Sequence, residues 1–338
     1  MAMRFTPALR LALGVRGFIV GGMLGKDAKW AFVGVGALGG YIAGRLTAGG
    51  ENMHLLLRSD YEAVRAEGMV VDMVPDGVRY DLSPAQLHPA RTPEEIGPVD
   101  VVVVALKSTA NAQLHELLPP LLHPGTILVT LQNGLGNVEL LQQICGHKRV
   151  LGALCHIGVN RVSPGKIECY APGGGTVQFG APPEAPEGLA RVVGERFAAA
   201  GIRVSYADSL GEALWRKLMW NVPFNGLTIV AGGVPTDQIL ADPALTEVVL
   251  ALIEELRAAA GALGYQIEPE YGPKRVEFTR RLQDYKPSTL LDYQAGRAIE
   301  VEAIWGEPLR QGQATGQKMP HLFQLYALLR KLADSQGK

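Results

Sequence analysis

The segment Gly34-Val-Gly36-Ala-Leu-Gly39 constrains the fold more than any other stretch of the chain. It follows a short apolar run, Trp30-Ala-Phe-Val-Gly34, and opens a stretch of helical periodicity from Leu38 to Leu46. Between a buried strand and a helix the three glycines have separate tasks. Gly34 permits a tight turn, Gly36 lets the backbone approach a pyrophosphate, and Gly39 lets the helix pack close to the strand. The amino end of the helix, with Ala37 and Leu38 in its first turn, offers unpaired N–H groups and a positive dipole end to phosphates. The expected dinucleotide site is therefore Gly34, Gly36, Ala37, Leu38 and Gly39.

The following sequence supplies the rest of such a fold. Met53 to Leu57, Asp100 to Ala105 and Thr126 to Thr130 read as further strands, almost wholly apolar, as suits a parallel sheet covered on both faces. Helical stretches fall at Asn111 to Leu118 and Val138 to Ile144. This alternation predicts a doubly wound, Rossmann-type α/β domain. A glycine-rich, β-rich part follows, with strands at Arg149–Val159, Gly165–Tyr170 and Thr176–Phe179, a helix over Leu189–Ala200 and a last strand at Arg203–Tyr206. Gly173 to Gly175 lack the lysine and the strand–loop–helix setting of a phosphate loop and read as a turn. At the end of the second strand stands Arg58, where NAD sites usually carry an acid for the ribose 2′-OH. An arginine there suits a 2′-phosphate, so NADP(H) is the expected cofactor; the plain alternative is a solvated surface arginine.

Beyond about Asp208 the strand patterns stop. Ser209–Trp220, Leu245–Leu263, Lys274–Gln283, Gly296–Ile304 and His321–Leu332 carry helical periodicity. The expected division is a leader over 1–28, a dinucleotide-binding domain over 29–207 and an all-α domain over 208–338. The leader mixes apolar residues with Arg10, Arg16 and several glycines, too broken for a membrane span and without a clear cleavage site, so an upstream start codon or a disordered leader is expected.

The bulk numbers exclude several functions. With a formal net charge of -1 and no long basic run, the chain has no footprint for nucleic acid or an anionic membrane. Three sparse cysteines without CxxC spacing argue against a disulfide framework or a zinc site, and the histidines show no ligand spacing, so no metal is expected. Reduced thiols suit a cytoplasmic location.

The most informative segment is Leu214-Trp-Arg-Lys217-Leu-Met-Trp-Asn221-Val-Pro-Phe-Asn225. Lys217, Asn221 and Asn225 are spaced i, i+4, i+8 and share one helix face. One lysine and two neutral amides can orient an oxygen-rich anion and donate protons to it. Pro223 would bend the helix. The alternative is a polar face open to solvent, but Trp215, Leu218, Met219 and Trp220 surround it and favour a pocket wall.

Here the chain resembles the ketopantoate reductase family, from Lys29 almost to its end. The features that carry the resemblance occur in order: the glycine turn, Arg58 after the second strand, a lysine after an apolar strand in Ala105-Leu-Lys107, the run Gln132-Asn133-Gly134-Leu-Gly136, the LWRKL helix with its asparagines, and Ser288 with Glu300 twelve residues later. The resemblance implies that Lys217 is the general acid for hydride reduction of a 2-keto acid and that Glu300 bonds the substrate or the lysine. It further implies that Asn221, Asn225 and Ser288 hold substrate oxygens, and that Lys107 and Asn133 sit where cofactor and substrate meet. Each has a plainer reading alone: Asn133-Gly134 is a common turn pair, and Ser288 could cap a helix over Thr289–Tyr293. The chain departs from the family pattern at Asn225-Gly226, where Asn-Pro is common, and near Gly232-Gly233, where an asparagine is often found. The expected function is thus NADPH-dependent reduction of 2-dehydropantoate to pantoate. Another branched 2-keto acid, and a non-catalytic NADP-binding sensor, are the alternatives. The expected partner is a small 2-keto acid, with no nucleic acid and no membrane; a homodimer is admissible, and the sequence does not choose the oligomeric state.

Overall fold

The computed structural model describes residues 24–336. The strands in chain order are β1 (Lys29–Val33), β2 (Asn52–Leu56), β3 (Met69–Met73), β4 (Val78–Leu82), β5 (Pro89–Ala90), β6 (Val101–Val104), β7 (Ile127–Thr130), β8 (Val150–His156), β9 (Val159–Ser163), β10 (Lys166–Cys169), β11 (Thr176–Gly180) and β12 (Arg203–Tyr206). Eight of them form the main sheet, in the order β12-β11-β8-β7-β6-β1-β2-β5. From β5 to β8 every neighbouring pair is parallel, and β11 joins β8 antiparallel.

Strand periodicity explains why both faces of this sheet are covered. In β1, Trp30 and Phe32 enter one core, while Ala31 and Val33 enter the core on the opposite face. Val101 and Val103 of β6 divide from Val102 and Val104 in the same way. The chain runs outward from β1 to β2 and later returns to the other side of β1 as β6. This reversal leaves a crevice beyond the carboxyl ends of β1 and β6, where open α/β sheets bind ligands.

The helix Ala37–Ala48 lies on the Trp30–Phe32 face. A second sheet, ordered β4-β3-β10-β9, covers this helix from outside. The approach is close: a Cβ on Gly44 would lie 2.6 Å from Cγ2 of Val71. The small sheet is only partly foreseen by the sequence, which marks the β10 region but neither β3 nor β4.

Among the described residues no strand follows Tyr206. The long helix Leu210–Val230 starts where Ser209 Oγ accepts the Glu212 amide at 3.2 Å. It runs through Pro223 rather than ending near Trp220. One hydrogen bond is lost there, but buried side chains from Val222 to Ile229 hold the second half in the core built around Trp215 and Trp305. Helices Thr236–Ala241, Pro243–Ala262, Tyr271–Arg280, Ser288–Gln294, Glu307–Ala314 and Pro320–Gln336 complete this part.

Two expected helices differ. Asn111–Leu118 is a 3₁₀ segment, Ser108–Gln113, followed by one short helical turn, Leu114–Leu117, before Pro119 and Pro120 stop it. Gly296–Ile304 is not one helix. Residues 297–300 are irregular, and Glu302–Gly306 form a π-helical turn leading into Glu307–Ala314. Ile299, Val301, Ile304 and Trp305 are all buried, so tertiary packing produces an apolar spacing that mimics helical periodicity.

Of the expected leader, residues 1–23 lie outside the described residues. Leu24 packs against the core and Ala28 is buried. Arg196 donates to the carbonyls of Gly25 and Lys26, at 2.9 and 3.1 Å.

Candidate active site

The glycine turn has the geometry its spacing requires. Gly34 has φ +100°, and a Cβ there would lie 2.3 Å from the Leu106 nitrogen, at the end of β6. A Cβ on Gly39 would lie 2.0 Å from the Gly34 carbonyl oxygen. Around Gly36 there is open space, and no side chain caps the helix that begins at Ala37. A bare helix start beside free volume fits a pyrophosphate. Arg58 is exposed past the end of β2, with no hydrogen bond or ion pair among the described residues.

Lys217 crosses from the helical part to the carboxyl edge of the sheet. Its Nζ donates to Asn133 Oδ1 at 2.9 Å and to the Cys155 carbonyl at 3.2 Å. An ammonium has three donors, so two fix its position and one remains without a partner among the described residues. Burial lowers the lysine pKa from its ordinary value, against smaller upward pulls from Cys155 and Glu300. Its neighbours are poor competitors as acids. Burial, with the charges of Lys217 and Arg275, pushes His156 down to about 4, and burial pushes the Cys155 thiol up to about 11.

Glu300 is brought to the same region but does not pair with Lys217 among the described residues. Its Oε1 accepts the backbone N–H of Ser108 at 2.8 Å. Burial raises its pKa above the usual carboxylate range, opposed by the Ser108 bonds and Lys107 and aided by Asp292. Lys107 reaches across the cleft to Asp292, Nζ to Oδ2 at 2.7 Å, and donates to the Ala298 carbonyl at 3.2 Å.

The asparagines of the lysine helix are under-committed. Asn221 is buried yet makes no side-chain hydrogen bond among the described residues. Asn225 Nδ2 donates to Thr289 Oγ1 at 3.0 Å, leaving its buried Oδ1 without a donor. Ser288 is exposed in the first turn of its helix, where Pro287 holds the cap position and no side chain caps.

Several participants escape sequence reasoning. Asn133 is held through its carbonyl by Asn137 Nδ2 at 3.0 Å. Asn137 Oδ1 accepts Asn111 Nδ2 at 3.0 Å, and Asn111 Oδ1 accepts Gln132 Nε2 at 2.7 Å. This amide chain ties the loop after β6 to the loop after β7. Only Asn137, four residues beyond Asn133, could have been suspected from spacing. The Cys155 carbonyl and the Ser108 amide are backbone groups with no side-chain signature.

A two-domain oxidoreductase with a nicotinamide dinucleotide as its hydride carrier is the class this fold and site define. The comparisons agree. Residues 30–184 match the family model "Ketopantoate reductase PanE/ApbA", and residues 210–333 match "Ketopantoate reductase PanE/ApbA C terminal". A 2-dehydropantoate 2-reductase of Nostoc sp. is 35% identical over 316 residues, covering 93% of this chain and 97% of that one. The crystal structure of 2-dehydropantoate 2-reductase from Geobacter metallireducens aligns with TM-score 0.84 and 36% identity, covering 90% of this chain and 99% of that one. That from Methylococcus capsulatus aligns at 0.83 with 29% identity, covering 92% and 98%. The chain belongs to the ketopantoate reductase family.

Proposed function

We propose that this protein reduces 2-dehydropantoate to pantoate with NADPH, and that Lys217 protonates the carbonyl oxygen. The observation that carries the reading is the fixed ammonium. Lys217 is pinned by Asn133 and the Cys155 carbonyl at the carboxyl edge of the sheet, with one N–H left over. The nicotinamide supplies the hydride when bound. Alkoxide charge develops on the substrate oxygen during reduction, and a positioned donor there lowers the barrier. On the same helix face, the amide of Asn221 is free for a further substrate oxygen, and the unpaired Oδ1 of Asn225 can accept from a substrate hydroxyl. Ser288 at the rim, and Asn133 beside the lysine, complete the substrate side. Glu300, held by the Ser108 amide, bonds the substrate when protonated. Lys107 lies between the cofactor crevice and the helical part. Gly34, Gly36, Ala37, Leu38 and Gly39 hold the pyrophosphate.

NADP over NAD rests on Arg58, an uncommitted guanidinium where an acid would select the 2′-hydroxyl. No helix among the described residues is long and apolar enough to cross a membrane. The three cysteines are free thiols, which supports a cytoplasmic site of action.

The test is NADPH oxidation with a panel of 2-keto acids: 2-dehydropantoate, its branched analogues lacking the hydroxyl, and straight-chain members. Highest kcat/KM on 2-dehydropantoate supports the proposal. A different best substrate keeps the chemistry and moves the specificity. No turnover with any member would leave a nucleotide-binding protein and refute the enzyme reading.

A further inference from the structure

The small sheet does more than cover the glycine helix. Two residues past Arg58, the buried Asp60 collects three donors. Its Oδ1 accepts Ser59 Oγ at 2.8 Å and Arg161 Nη1 at 2.5 Å, and its Oδ2 accepts the Gly165 amide at 3.3 Å. Arg161 lies in β9 and Gly165 in the turn between β9 and β10, so one carboxylate fastens the edge hairpin of the small sheet to the loop after β2. Arg161 Nη1 also stands 3.5 Å from Ser59 Oγ.

This arrangement has a polarity. The Asp60 side chain is 6% exposed and turned inward, whereas that of Arg161 is 41% exposed. A guanidinium carries five N–H donors in a planar fork, and only Nη1 is engaged here. At the loop surface stand Arg58, with no partner among the described residues, and the open side of Arg161, while the Ser59 hydroxyl donates its proton to Asp60. Two cations against one acid leave a net positive charge of one, an arrangement suited to a phosphate monoester.

We propose that Arg161 is a second guanidinium for the 2′-phosphate of the dinucleotide, delivered by the small sheet and aimed by Asp60. The inference rests on the reading that Arg58 marks the 2′-phosphate end. It makes cofactor choice a joint property of the loop after β2 and a strand one hundred residues further on, so that Arg58 alone does not set it.

Binding, rather than turnover, tests it. Dissociation constants for 2′,5′-ADP, 5′-AMP, NADPH and NADH are measured for the full chain, for Arg161→Gln and for Arg58→Ala. Glutamine keeps a donor for Asp60, so the hairpin stays fastened. Losing one charge-assisted contact weakens binding about tenfold to a hundredfold. Arg161→Gln is expected to weaken 2′,5′-ADP and NADPH by that factor and to leave 5′-AMP and NADH unchanged. An equal loss for all four nucleotides, with a lower Tm, would make Arg161 a structural tie and overturn the proposal. If Arg58→Ala abolishes the preference for the 2′-phosphate while Arg161→Gln preserves it, only the role of Arg161 fails. If neither variant alters the preference, the 2′-phosphate reading itself fails, and Arg161 with it.

Discussion

Lys217→Met removes the proposed acid while keeping a long, unbranched side chain in the same channel. The structure sets what is lost. The ammonium is held at 2.9 and 3.2 Å by two acceptors, so its third N–H has a defined direction. Methionine offers no proton, and water would have to take over the donation. General acid catalysis by a positioned group contributes about 10²–10⁴-fold, which corresponds to about 2.7–5.4 kcal/mol at 1.36 kcal/mol per decade. kcat should fall by that factor in a stopped-flow assay of NADPH oxidation under single-turnover conditions. The NADPH dissociation constant, read by fluorescence titration, should stay near that of the unaltered chain, because the glycine turn and Arg58 are untouched. The pH profile gives a second check. Burial lowers the lysine pKa, and only the ammonium form donates. The rate should therefore decline on the alkaline side at a lower pH than an exposed lysine would produce, and Lys217→Met should lose that limb. A variant with nearly normal kcat, or one that retains the alkaline limb, would refute the assignment.

Other expectations can be checked directly. Glu300→Gln keeps the Ser108 contact and removes the ionisable carboxyl. Because the folded pKa of Glu300 is raised, its favourable protonated state is fully present below the unfolded carboxylate range and is lost as pH rises through the folded value. The Tm of Glu300→Gln should thus exceed that of the unaltered chain at neutral pH, with the difference shrinking on acidification; a gap independent of pH would contradict this. Gly39→Ala places a Cβ 2.0 Å from the Gly34 oxygen, and the resulting helix shift should cost about 1–3 kcal/mol and abolish tight NADPH binding by calorimetry. Asn225→Ala should weaken substrate binding about tenfold to a hundredfold, seen as a raised KM with unchanged affinity for NADPH. An unchanged KM would remove Asn225 from the substrate site.

What could be read in advance divides along physical lines. The glycine turn was legible because a tight turn, a close approach and a helix start each exclude most residues at a fixed spacing. The face shared by Lys217, Asn221 and Asn225 was legible because helical periodicity is local. The small sheet was not: Met69-Val-Val-Asp-Met73 and Val78-Arg-Tyr-Asp-Leu82 are short and partly polar, and β3 depends on pairing with β10 almost a hundred residues away. Around Glu300 the periodicity misleads, since Ile299, Val301, Ile304 and Trp305 are buried by the surrounding core and not by one helix face. The anchor of Glu300 is a backbone amide, and one of the two acceptors of Lys217 is a backbone carbonyl. Such groups exist at almost every residue, and only the fold selects them.

The π-helical turn at Glu302–Gly306 touches the loop after β7. Its Ala303 carbonyl accepts the Leu135 amide at 3.0 Å, and a Cβ on Gly134 would lie 2.2 Å from the same oxygen. The two halves of the chain are thus stitched backbone to backbone immediately beside Asn133. The backbone of the π-helical turn therefore sets where Asn133 stands and, through its Oδ1, where the Lys217 ammonium stands. The alignment of the proposed proton donor thus depends on a segment far from either residue in the sequence.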